Sequence, residues 1–175
     1  MKRLLYGLIA ILLLPTFTYA QAVNCVSATP TLDTAAYATG DVMSATAMTF
    51  TNLVKPNGAR SGLVVSAMIS DAAAQAVDLD LVLFSTLPTA STFGSDNAAF
   101  DPTDAQLLTI LATLNFGSTS RFAFNDNSVH YLGSLAIPVK TIAATPGTIY
   151  GVLVARGAYD GDADSIQVTL CAAQD

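Results

Sequence analysis

Alternate aspartates at Asp160, Asp162 and Asp164 sit in Asp160-Gly161-Asp162-Ala163-Asp164, where several hard oxygens can reach one point. That is what calcium asks of a loop. An EF-hand would add a glycine after the third acid and a closing glutamate at the twelfth position, where Ser165 and Cys171 stand instead. The competing reading of the same residues is a polar hairpin turn. His130 is the single histidine. A Ser-His-Asp hydrolase would need the fold to bring a serine and an aspartate to it, and no Gly-x-Ser-x-Gly elbow exists to hold the nucleophile. His130 is therefore read as a strand or loop residue. Asp78 and Asp80 would share one face of an extended segment about 7 Å apart, a glycosidase-like separation. With no tryptophan to stack sugars, the expectation for that pair is a solvated strand face, and no catalytic residue is assigned.

Cys25 and Cys171 are the only cysteines. They lie in strand-like contexts near the two ends, and in an oxidising compartment they would form one bridge tying first strand to last. The alternative is two free thiols in separate strands. A structural zinc site is not expected, because two cysteines and one histidine do not complete a structural ligand set.

The elements that must position these groups read as strands. Leu79, Leu81 and Leu83 alternate with Asp78, Asp80 and Val82, so one face is apolar while the other starts acidic and turns apolar towards Phe84. Further strands are expected near residues 22–28, 42–53, 62–70, 107–116, 120–124, 130–138, 147–155 and 164–172. Turn-forming runs separate them, among them Pro56-Asn57-Gly58, Gly94-Ser95-Asp96-Asn97, Asn125-Asp126-Asn127 and Pro146-Gly147. All 13 acidic residues are aspartates, which favour turns over helix. One helical turn is expected at residues 101–106, capped by Asp101 with Pro102 in the first helical position. The pattern predicts an all-β, single-domain antiparallel sandwich, jelly-roll-like, over residues 21–175.

Residues 1–20 have a different character. Met1-Lys2-Arg3 precedes an apolar block from Leu4 to Leu14 and a polar approach to Ala20, the pattern of an export signal cleaved between Ala20 and Gln21. The block is shorter than the roughly 20 residues of a bilayer span, so no stable membrane span is expected after cleavage. Val23-Asn24 ahead of Cys25 also lacks the small residue of a lipidation site. Expected locations are the periplasm, the cell surface or the medium. The formal charge of −6 falls to −8 with the loss of Lys2 and Arg3, and nucleic acid is not an expected partner, since binding it needs a clustered basic face. Arg121 and Arg156, scarce cations in an acidic body, are each expected to meet an aspartate.

Several segments carry a resemblance. They are Thr29 to Val42, Gly62 to Asp71, Val77 to Phe84 continuing through Pro88, Thr92-Phe93 and Asp96-Asn97-Ala98-Ala99-Phe100-Asp101, then Ile149 to Ala158, Gln167 to Leu170 and the terminal Gln174-Asp175. In order and spacing after residue 28 the chain resembles phage virion structural proteins of the head-decoration kind, here preceded by a signal peptide. The resemblance implies a non-enzymatic subunit acting by self-association or contact with a shell lattice, at the virion surface if phage-encoded. The alternative is a secreted module that binds carbohydrate or a cell surface, with calcium at Asp160, Asp162 and Asp164.

Overall fold

The computed structural model describes residues 22–54, 61–73, 75–140, 147–160 and 165–174. The proposed leader with its Ala20–Gln21 cleavage point, and Asp162 and Asp164 of the calcium loop, lie outside the described residues. Among those described, no helix is long and apolar enough to cross a membrane.

Among the described residues the chain forms ten strands, two short α-helices and one 3₁₀ turn at Ser118–Ser120. The strands are β1 (Ala22–Ala28), β2 (Met48–Phe50), β3 (Ser61–Asp71), β4 (Leu79–Phe84), β5 (Ile110–Phe116), β6 (Arg121–Ala123), β7 (Ser128–Leu132), β8 (Ile137–Lys140), β9 (Ile149–Ala155) and β10 (Ile166–Gln174); the helices are α1 (Ala90–Phe93) and α2 (Asp104–Leu107). Two antiparallel sheets pack face to face. The larger has the order β1-β10-β3-β7-β6, with β8 also paired to β3, and the smaller the order β2-β9-β4-β5. The alternation at 79–83 sends Leu79, Leu81 and Leu83 into the space between the sheets. There they join Phe50, Ile69, Phe116, Leu153, Val168 and Leu170 in the main core.

The far face of the small sheet is covered as well. Val82, Phe84, Val152 and Val154 meet Val42, Phe93 and Tyr150 in a second apolar cluster, so β4 and β9 are buried at every position. This is the near-continuous apolar run of a strand with no wet face. The cover is tied down by backbone bonds between segments of the resemblance. Val42 donates to Ala98 and Asn97 to Val42, Phe100 to Gly40, and Gly40 to Ala155. Gly94 makes the close turn of this cover, with φ 116° and a Cβ position only 2.7 Å from the Ala99 carbonyl oxygen.

Four expectations need correction. Of residues 42–53 only Met48–Phe50 is a strand; before it, Met43 bonds Leu153 and the Ser44 hydroxyl folds back onto the Thr46 carbonyl. The strand expected at 130–138 is two strands, β7 and β8, both on the same edge of β3 and interrupted where Ser134 takes φ 57°. The helical turn starts at Asp104, capped by Thr103, because Asp101 and Thr103 bond back to Phe93 and Thr92 and hold residues 101–103 extended. α1 was not anticipated from the sequence; its apolar payload is the single buried Phe93.

Candidate functional site

The cysteines meet. Cys25 and Cys171 are opposite partners in the β1–β10 ladder, with Cα atoms 4.0 Å apart, and form a disulfide. It fastens an edge strand to its neighbour.

His130 lies on β7, wholly buried, facing Phe116 of the other sheet edge-on at 6.3 Å between centroids. Ser128, two residues earlier on the same face, is buried too, and its ladder partner is Asp71. The fold thus gathers a serine, a histidine and an aspartate, but does not wire them. Asp71 accepts from the Tyr159 hydroxyl at 2.9 Å and from the Ala73 and Gln75 amides. Neither His130 nitrogen nor the Ser128 hydroxyl has a partner of hydrogen-bonding geometry among the described residues. A cavity of about 210 Å³ opens beside Ser128 and Asp71, and its wall does not include His130. A base without a line to its nucleophile, its orienting acid or the cavity lacks the geometry of proton transfer. Burial, with Arg121 opposite on β6, holds the His130 pKa below its usual 6.5, against a smaller opposing pull from Asp71 and Asp78. The ring is neutral near pH 7.

Asp80 departs from the solvated face expected of it. It is buried beneath the cover of the small sheet and bonded by the Asn115 amide at 2.7 Å, and it pairs with the half-exposed Arg156. Asp78 stands before β4, its carbonyl accepting from the Arg156 amide. The two acids do different work, and Asp80 is fully occupied. Arg121, the other scarce cation, has a buried Nη1 without a partner among the described residues. Of the calcium candidates only Asp160 is described, and it is exposed.

Sequence reading missed the most distinctive surface of the molecule, the outward face of the large sheet. Register and burial together define it. One cross-strand row is Ser27, Thr169, Met68 and Tyr131; the next is Gln167, Ser70, Val129 and Phe122; on the other side lie Cys25, Cys171 and Ser66. Their inward neighbours are core residues such as Leu170, Val168, Ile69 and Ala67. No outward residue on these five strands is charged. The nearest charge-bearing positions are Arg121 on β6 and Asp71 at the end of β3, both in register with inward residues, then Asp126 in the β6–β7 turn and Lys140, paired with Ser61 at the end of β8. Phe122 and Tyr131 are 64% and 50% exposed, and Phe124 beside them 62%. Hydroxyls fill the centre, with Ser27 and Thr169 bonded to each other at 2.8 Å. The signal was present as alternation in Arg121-Phe122-Ala123-Phe124 and Val129-His130-Tyr131. Which parity faced water was not, because it depends on which sheet face is covered.

Comparison with protein-family models and with curated proteins gives no match.

Proposed function

We propose that the chain is a non-enzymatic structural protein that works by surface contact, of the phage virion, head-decoration kind that its sequence resembles, and that it is exported by its N-terminal segment. One observation carries this reading: on a molecule of net charge −6 the outward residues of β1, β10, β3, β7 and β6 carry no charge, and the face they form presents Phe122, Tyr131 and Phe124 to solvent. Aromatic residues on a surface depleted of charge are the composition of a buried contact. A solvated sheet face ordinarily alternates with lysine, glutamate and aspartate. The disulfide supports export, since such bridges persist in oxidising compartments.

Co-sedimentation tests the reading. The tagged chain is expected to travel with particles or with the envelope fraction of the producing culture. A chain carrying Phe122→Glu and Tyr131→Glu is expected to remain in the supernatant. Equal recovery of both chains in the pellet would sink the proposal.

A second reading, a secreted carbohydrate-binding module, is favoured by the same aromatic side chains, now beside the hydroxyls of Ser27, Thr169 and Ser70 and able to stack on uncharged sugars. Binding of that kind would resist chelators, because no carboxylate stands among the outward residues of β1, β10, β3, β7 and β6. Calcium dependence would instead point to the Asp160, Asp162 and Asp164 loop.

A further inference from the structure

We infer that the occupant of the open face is a second copy of this chain, packed sheet against sheet about a two-fold axis. This rests on the contact reading above and names its partner. Three observations lead there.

The first is electrostatic. Among the described residues no aspartate stands at an outward position of these strands: Asp71 ends β3 buried on the inward side, Asp80 is buried on β4, and the others lie in α2, loops and turns. Two copies meeting at the exposed aspartates Asp33, Asp101, Asp104, Asp126 or Asp160 bring acid against acid, which raises the energy of the encounter. The outward residues of the five strands add no such pair. A strongly charged partner would gain nothing there and would leave part of its own charge desolvated without compensation. The complementary surface is therefore uncharged, and a second copy carries one by construction.

The second is size. Five strands at about 4.8 Å spacing, averaging about seven residues at roughly 3.4 Å rise, cover about 570 Å² in projection. The accessible area over corrugated side chains is larger. That approaches the ~800 Å² per partner of a standard stable interface, and two such faces stack at about 10 Å as sheets do.

The third is the arrangement of the residues. Phe122 and Tyr131 stand at the β6–β7 end, whereas Ser27, Thr169 and the disulfide stand at the β1–β10 end. A two-fold axis along the strands lays each aromatic end over the partner's β1–β10 end. One kind of contact is then made twice and closes the assembly as a dimer.

The test is sedimentation velocity on the full chain, as purified from the producing cell, across a concentration series. The wild-type chain is expected to form a dimer. Phe122→Glu with Tyr131→Glu, and separately Thr169→Arg at the other end of the face, are expected to weaken it by about 100-fold, because each buries unpaired charge. Leu108→Glu, at a residue 89% exposed at the end of α2, before β5 of the other sheet, is expected to leave the dimer intact. Circular dichroism melts check that every variant is folded. Dissociation by Leu108→Glu and not by the face variants would overturn the inference. So would a wild-type chain that stays monomeric at every concentration. In that second case, co-sedimentation with particles or envelope that is lost in Phe122→Glu, Tyr131→Glu would leave the contact reading standing with another occupant. Retention on an insoluble neutral polysaccharide, lost in the same variant, would identify that occupant as glycan. Loss of neither would remove the contact reading as well.

Discussion

At the scale of single residues, buried polar groups divide into those with partners and those without. Asp80 has Arg156 and Asn115. Removing Arg156 leaves a buried carboxylate with one neutral donor. Arg156→Ala is therefore expected to cost about 1 to 3 kcal/mol in urea unfolding, more than the ~0 to 1 of an exposed pair, although half-exposure of the arginine limits the loss. His130 is the opposite case, a buried ring whose nitrogens have no partner of hydrogen-bonding geometry among the described residues. Its folded pKa lies below 6.5, so the unfolded chain takes the proton first as pH falls. Its contribution to stability is complete above about pH 6.5 and declines as pH drops from there towards the folded value. Asp96, whose carboxyl is raised by burial, opposes this in acid. Stability measured by denaturant between pH 7 and 5 is expected to fall, and His130→Leu to flatten that fall at little or no cost near pH 7, since it removes an unsatisfied group. Tyr37 and Tyr159 work at the other extreme. Burial pushes both phenols well above 10, so their contribution holds below about pH 10 and is lost above it. Tyr159→Phe, which also removes one of the three donors to Asp71, is expected to soften the alkaline transition.

Among the elements, the disulfide is the main covalent constraint. It joins residues 146 apart in sequence, and in the chain-entropy account its loss is worth about 4 to 5 kcal/mol. Cys25→Ser with Cys171→Ser is expected to lower the urea midpoint and to steepen the slope, because the unlinked unfolded chain exposes more surface, and to loosen β1 first, read by hydrogen exchange of residues 22–28. Gly147 gives a second expectation. It has φ 68°, and a Cβ there would fall 1.7 Å from the Val54 carbonyl oxygen. Gly147→Ala should therefore displace the start of β9 and cost more than the roughly 1 kcal/mol of an ordinary glycine substitution, measured by thermal unfolding. Much of this level was legible in the sequence. Leucine alternation at 79–83 fixed the face of β4, and strand-like surroundings placed both cysteines. What could not be read was whatever depends on a distant chain: that residues 37–47 and 89–100 fold over the small sheet, which buries Asp80, and that the last turn before β5 is capped from Thr103 because Asp101 is held by Phe93.

For the whole molecule, the two sheets have different fates. The central strands of the small sheet, β4 and β9, are buried on both faces, while β1, β10, β3, β7 and β6 of the large one leave an aromatic-edged surface of uncharged outward residues open. From the sequence, overall acidity was visible and its uneven distribution was not, because distribution follows from register and from which side the cover takes. A molecule so built is expected to present its acidic loops to solvent and to be covered across this sheet when at work. Hydroxyl-radical footprinting measures that directly, comparing the dilute purified chain with the chain in its native culture fraction. Met68, Phe122, Phe124 and Tyr131 are expected to be protected in the native fraction while Leu108 remains reactive in both. Equal labelling of those four residues in the two samples would contradict the account.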